Sequence, residues 1–121
     1  MTVIIYLRAI KNAKKNCLAL FDSNRHGDID NLVTDVDTGD TIVWDLDSLS
    51  GIKSINRIYS KENEHPIFKE DPKKRELSKG LELKVPDTAK KGDKEKYTIE
   101  CLLEDNSVLI IDPYVRIPPP R

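Results

Sequence analysis

At 121 residues the chain has the length of one compact domain. Twenty basic residues stand against 21 acidic ones, for a formal net charge of −1. That balance lacks the dominant positive field that nucleic acid or an anionic membrane surface requires, and no run approaches the ~20 apolar residues of a membrane-spanning helix. The expectation is a single domain over residues 1–117 followed by an extended proline-rich tail at 118–121, with no nucleic-acid partner and no membrane insertion.

The charge is distributed in blocks. Residues 1–21 carry +4, residues 22–47 carry −7 with eight aspartates, residues 48–96 carry +4 and residues 97–121 carry −2. Blocks of this kind read as solvated strand faces and loops, with the orienting of a partner as the alternative. The opening Met1-Thr2-Val3-Ile4-Ile5-Tyr6-Leu7-Arg8 has neither the basic start nor the long apolar stretch of a secretory leader, so a cytoplasmic location is expected. A trimmed secreted chain would read the same at this end. Cys17 and Cys101 lack CxxC spacing; two buried thiols are the expectation, and a disulfide would form if they face each other.

Apolar residues recur mostly with period two and are rich in Val, Ile, Leu and Thr, the signature of strands. Val3–Ile10 is a first strand whose near-continuous apolar run predicts burial on both faces or a covered edge. Cys17–Phe21 is a second, stopped by Asp22-Ser23-Asn24. Leu32–Asp37 and Thr41–Leu46 read as a hairpin around Thr38-Gly39-Asp40, with Ile42, Trp44 and Leu46 on one face. Ile55–Tyr59 is another short strand. Residues 60–79 form a long polar excursion, interrupted by Pro66 and Pro72 and anchored by Ile67, Phe68 and Leu77, with room for a short helical turn. Leu81, Leu83 and Val85 alternate with charges. Tyr97, Ile99, Cys101 and Leu103 share a face of the next strand, and Val108–Ile111 continues past Pro113 to Ile117. Turn signals about every ten residues and no amphipathic helix predict an all-β fold, an antiparallel Greek-key sandwich or barrel of about seven to nine strands.

Two of these strands carry a family likeness. Gly39-Asp40-Thr41-Ile42-Val43-Trp44 and Lys96-Tyr97-Thr98-Ile99-Glu100-Cys101 resemble the strand openings of cupredoxin-like proteins, over roughly residues 30–117. The same pattern occurs in immunoglobulin-like sandwiches, the alternative fold. In blue-copper members of the cupredoxin family the first strand leads to a histidine ligand. The second ends in the cysteine ligand, followed by histidine and methionine. Here residues 45–55 hold no histidine, and Leu102-Leu103-Glu104-Asp105-Asn106-Ser107 holds neither histidine nor methionine. A blue-copper site needs two imidazoles and a thiolate, so the resemblance implies the scaffold without its metal set, and no cofactor is expected.

Asp22-Ser23-Asn24-Arg25-His26-Gly27-Asp28-Ile29-Asp30 partly matches a calcium loop, yet His26 replaces an oxygen ligand and Val33 stands where a glutamate should close the shell. A polar β-turn is the reading, with weak Ca²⁺ binding as the alternative. His26 and His65 sit in polar loops, and no nucleophile elbow or phosphate loop is present, so no catalytic residue is assigned and the chain is read as a non-enzyme. The stretch after Trp44 occupies the place of the family's functional loop. Within it Ser48, Ser50, Gly51, Ile52, Lys53, Arg57 and Tyr59 form a candidate partner-contacting loop, the structural alternative being an inter-sheet crossover whose isoleucines fill the core. Pro118-Pro119-Pro120-Arg121 is an extended tail. The expected function is a metal-free β-sandwich module for protein binding or self-association. The alternative is a small copper-binding or electron-transfer protein using Cys101 with non-standard ligands.

Overall fold

A computed structural model describes residues 1–11, 16–23, 27–29, 32–47, 49–76 and 78–119, with backbone only at 11, 16 and 29. Its regular elements are all strands: β1 (Thr2–Lys11), β2 (Asn16–Asp22), β3 (Gly27–Ile29), β4 (Val33–Asp35), β5 (Thr41–Leu46), β6 (Ile52–Ser60), β7 (Lys73–Lys74), β8 (Leu81–Lys84), β9 (Lys94–Leu103), β10 (Val108–Ile111) and β11 (Tyr114–Arg116). The first sheet has the order β3-β2-β1-β5-β8-β7. The second runs β10-β9-β11-β4, with β6 on the other side of β9. The fold is thus all-β and two-sheeted. Among the described residues no helix is long and apolar enough to cross a membrane.

Eleven strands exceed the expected seven to nine for identifiable reasons. β3 and β7 are short pieces with no apolar alternation to announce them. β10 and β11 are one strand in two parts: Ile111 lies opposite Ile99 and Tyr114 opposite Lys96, so the register against β9 passes through Asp112 and Pro113 unchanged. Pro113 has no N–H to give, but its carbonyl still accepts from Tyr97 N at 3.0 Å.

The expected hairpin of residues 32–46 is corrected. The turn exists, with Gly39 at φ 80° and Asp40 N donating to the Asp37 carbonyl at 3.1 Å. Its two flanks, however, join different sheets. β4 pairs in parallel with β11, tied by Arg116 Nε to Asp35 Oδ1 at 2.7 Å, whereas β5 pairs in parallel with β1 and antiparallel with β8. Both sheets are therefore mixed rather than purely antiparallel. The apolar run of β1 also has a different explanation from burial on both faces. β1 is a central strand, its inner Val3, Ile5 and Leu7 are buried, and its outer Tyr6 is partly exposed.

Period-two alternation sends one face of each sheet into a common core. At its centre Trp44 of β5 donates from Nε1 to Tyr97 Oη of β9 at 3.0 Å, and Phe68 stacks on Tyr97 at 5.2 Å between centroids. Each polar tip so finds a partner inside the core. Of the three expected anchors of the 60–79 excursion, Ile67 and Phe68 are buried and Leu77 lies outside the described residues. No helical turn occurs in the excursion among the described residues. Lys73–Lys74 instead pairs with β8.

The excursion is held by a carboxyl side chain inside the core. Glu95 is 0% exposed, and its Oε1 accepts from Ile67 N at 2.9 Å and Phe68 N at 3.0 Å. His65 Nδ1 lies 3.6 Å from Oε2. Buried backbone donors left without an acceptor cost about 1–3 kcal/mol each. Glu95→Ala should therefore lower stability by about 2–5 kcal/mol. Glu95→Gln, which keeps an acceptor oxygen, should lose clearly less; urea denaturation midpoints of both variants check this.

Candidate functional site

The sequence-derived loop divides into two groups. Ser50 is buried, its Oγ accepting from Ile52 N at 3.2 Å and its carbonyl from Ala9 N at 2.7 Å. Gly51 takes φ 72°, where a glycine costs least, and its carbonyl accepts from Glu104 N at 3.1 Å. Ile52 belongs to the core. These three residues build the crossover from β5 to β6. Lys53, Arg57 and Tyr59 point outward from β6, and Ser48 lies outside the described residues. Leu49, which sequence reasoning passed over, is 97% exposed at φ 60°, a strained backbone region for a leucine. The bonds on either side of it hold that turn in place: Asp47 N donates to the Leu7 carbonyl at 3.0 Å.

Arg57 and Tyr59 lie on the outer face of the second sheet, and strand register shows what surrounds them. Arg57 Cζ sits 4.1 Å from the Tyr59 ring centroid, a cation–π contact. Opposite Arg57 on β9 is Glu100, and opposite Glu100 on β10 is Ile110. One row along, Ser54 faces Leu102 and Leu102 faces Val108. Val108 and Ile110 are 55% and 54% exposed, and Leu102 is half-buried between them and β6. Further along the same face Thr98 Oγ1 donates to Asp112 Oδ1 at 2.7 Å. Lys94 Nζ lies 4.3 Å from the Tyr114 ring centroid. The face is thus an apolar centre of Leu102, Val108 and Ile110 with cation–aromatic pairs at its border. A signal was available for it. Val108-Leu109-Ile110-Ile111 is apolar on both parities, and only Leu109 and Ile111 are needed by the core.

The titratable groups singled out in the sequence lie elsewhere. Cys101 is fully buried in β9, and burial, with a smaller push from the Glu100 carboxylate, drives its thiol up to about 12. Cys17 and Cys101 are both free, so the conditional disulfide is not formed. His65 neighbours Glu95, whereas His26 lies outside the described residues. Among the described residues no three His, Cys, Asp or Glu side chains gather as a metal site. The segment read as a partial calcium loop starts inside β2 at Asp22 and runs into β3 at Gly27, pairing Phe21 with Gly27; Asn24, His26 and Asp30 lie outside the described residues.

No protein-family model matches the chain, and no curated protein matches it. What the fold and the face define is an all-β two-sheet sandwich with a mixed apolar and cationic outer surface.

Burial raises the Tyr97 hydroxyl as it does the Cys101 thiol. An acid whose native pKa exceeds its unfolded value ionises first in the unfolded chain, so the native state holds more protons and stability falls with rising pH. For Cys101 that loss begins near its ordinary value of 9.0 and continues toward about 12. The urea midpoint should fall over this window, and Cys101→Ala should make the fall shallower; denaturation at a series of alkaline pH values checks both.

Proposed function

We propose that the chain is a non-enzymatic, metal-free cupredoxin-like module that binds another protein, or a second copy of itself, through the outer face of its second sheet. The observation that carries this is the contiguous apolar group Leu102, Val108 and Ile110 on adjacent strands, bordered by the Arg57–Tyr59 pair. Contiguous exposed apolar side chains rimmed by polar ones mark interaction surfaces. Aromatic residues and arginine are enriched where partners meet. The cupredoxin-like part of the reading draws support from the two family-like segments: they form β5 and β9, one in each sheet, and touch across the core at Trp44 and Tyr97. The copper-binding alternative would need Cys101 as a thiolate, and burial favours its protonated form.

Val108→Lys combined with Ile110→Lys replaces the apolar centre at exposed positions, where substitutions change stability by only about 0.5 kcal/mol. Wild-type chain should show either concentration-dependent mass in sedimentation equilibrium or a retained partner in a pulldown with intact protein. The double variant, with an unchanged circular-dichroism melt, should lose that association. A wild-type chain that stays monomeric and retains no protein that the variant fails to retain would remove the reading.

A further inference from the structure

A second feature lies on the open side of the sandwich, where the edge strand of the second sheet approaches the edge of the first. Between the start of β6 and the segment joining β7 to β8 is a cleft of about 260 Å³. Four of its lining side chains, Lys53, Lys74, Arg75 and Lys79, are cations, and none is an acid. None of the four forms an ion pair among the described residues. The ion pair of this segment is Lys73 with Glu70, at 3.5 Å. Glu70, Glu76 and Glu82 line a separate cleft on the other side of Lys74 and Arg75.

The cationic cleft is built rather than a chance gathering of lysines. Pairing between β6 and β9 shifts register between Ile52 and Ser54, leaving Lys53 as the extra residue of a bulge, a device that re-aims a side chain. Across the cleft, Arg75 N donates to the Gly80 carbonyl at 3.0 Å and Gly80 N to Ser78 Oγ at 3.0 Å, which ties Arg75 and Ser78 to Gly80. Gly80 lies so close to β5 that an added Cβ would stand 2.6 Å from the Trp44 carbonyl oxygen. That approach seats the loop against the core. Arg75 is half-buried, and Ser78, accepting from Gly80 through its oxygen, keeps its own proton to donate. Lys53 Nζ gives one hydrogen bond to Asn106 Oδ1 at 3.2 Å and has two further N–H groups.

We propose that this cleft binds a small tetrahedral oxyanion of the phosphoryl class. Lysines supply point charge and the arginine fork supplies paired donors, the combination that recognises phosphoryl oxygens. At about 260 Å³ the cleft has room for a phosphoryl group. The inference is independent of the outer-face reading: Ser54 is common to the cleft lining and the outer-face rows, and neither reading rests on its side chain.

The test is an amide-resolved NMR titration of the full chain at constant ionic strength with inorganic phosphate, sulfate and phenyl phosphate. Saturable shifts centred on the amides of Ser54, Arg75, Ser78 and Lys79 are expected with inorganic phosphate. Arg75→Gln with Lys79→Gln should weaken binding at least about tenfold, the loss of two charge-assisted contacts. Lys74→Gln with Lys79→Gln, at two exposed positions, should weaken it too and guards against misfolding of the first variant. Lys90→Gln with Lys91→Gln, outside the cleft, should leave it unchanged. Tighter binding of phenyl phosphate than of inorganic phosphate assigns the site to phosphate esters, and equal or weaker binding assigns it to the free anion. Sulfate bound as tightly as phosphate supports the same site with charge and shape as the only selection. Shifts that do not saturate, or that survive both cleft variants undiminished, overturn the proposal.

Discussion

The Glu95 carboxyl group sets the geometry of one whole side of this protein. By accepting two backbone N–H groups from Ile67 and Phe68 it fixes a polar segment that has few apolar anchors of its own. Phe68 is thereby delivered to the Trp44–Tyr97 pair and closes the centre of the core. The chain then leaves in a fixed direction, so that Lys73 and Lys74 reach β8 and the following loop reaches the start of β6. Without that acceptor two buried donors would have no partner, and water would be the competing solvent for the strap. A single polar side chain placed inside the core thereby positions a segment of the surface.

The outer face and the cationic cleft differ in how they are made. The face is the consequence of strand register alone: β6, β9 and β10 align Arg57, Glu100 and Ile110 in one row and Ser54, Leu102 and Val108 in the next. It is continuous with the ladder hydrogen bonds and shares their rigidity. The cleft is made by irregularities, a bulge in one strand and a tight approach of Gly80 to the neighbouring one. The two bulges in β6 and its lysine and arginine have a second effect. They roughen a nine-residue edge strand that would otherwise offer a regular row of unpaired backbone groups to other chains.

Fold class was legible because alternation is clean in β8 and in most of β9, where Leu81 and Leu83, and Tyr97, Ile99, Cys101 and Leu103, point inward. Topology was less so. Thr38-Gly39-Asp40 announces a turn correctly, yet a turn signal is local and carries nothing about the partner of each flank. For Val33–Asp35 that partner is Tyr114–Arg116, at the other end of the chain. Glu95 left a faint trace, since it shares the parity of Tyr97, Ile99, Cys101 and Leu103 and so points inward. In the candidate loop, sequence found Lys53, Arg57 and Tyr59 outward but also Ser50, Gly51 and Ile52, which hold the crossover. Small hydroxyls and glycine look alike whether they meet a partner or a neighbouring strand. Leu102, Val108 and Ile110 were passed over because a run of apolar residues reads as core until a structure shows that only alternate ones are used. The bulge at Lys53 leaves no mark in the sequence.

The parallel pairing of β4 with β11, clamped by Arg116 and Asp35, bears on how the protein is made. Contacts between residues so distant in the chain form only after a large loop closes, and they slow folding relative to local pairings. On a ribosome the β1–β2 ribbon can assemble early, but residues 33–35 have no strand to join until residue 116 has left the exit tunnel. The second sheet is completed only once β11 has emerged, and until then the nascent chain carries an unmatched strand to which chaperones or neighbouring nascent chains have access.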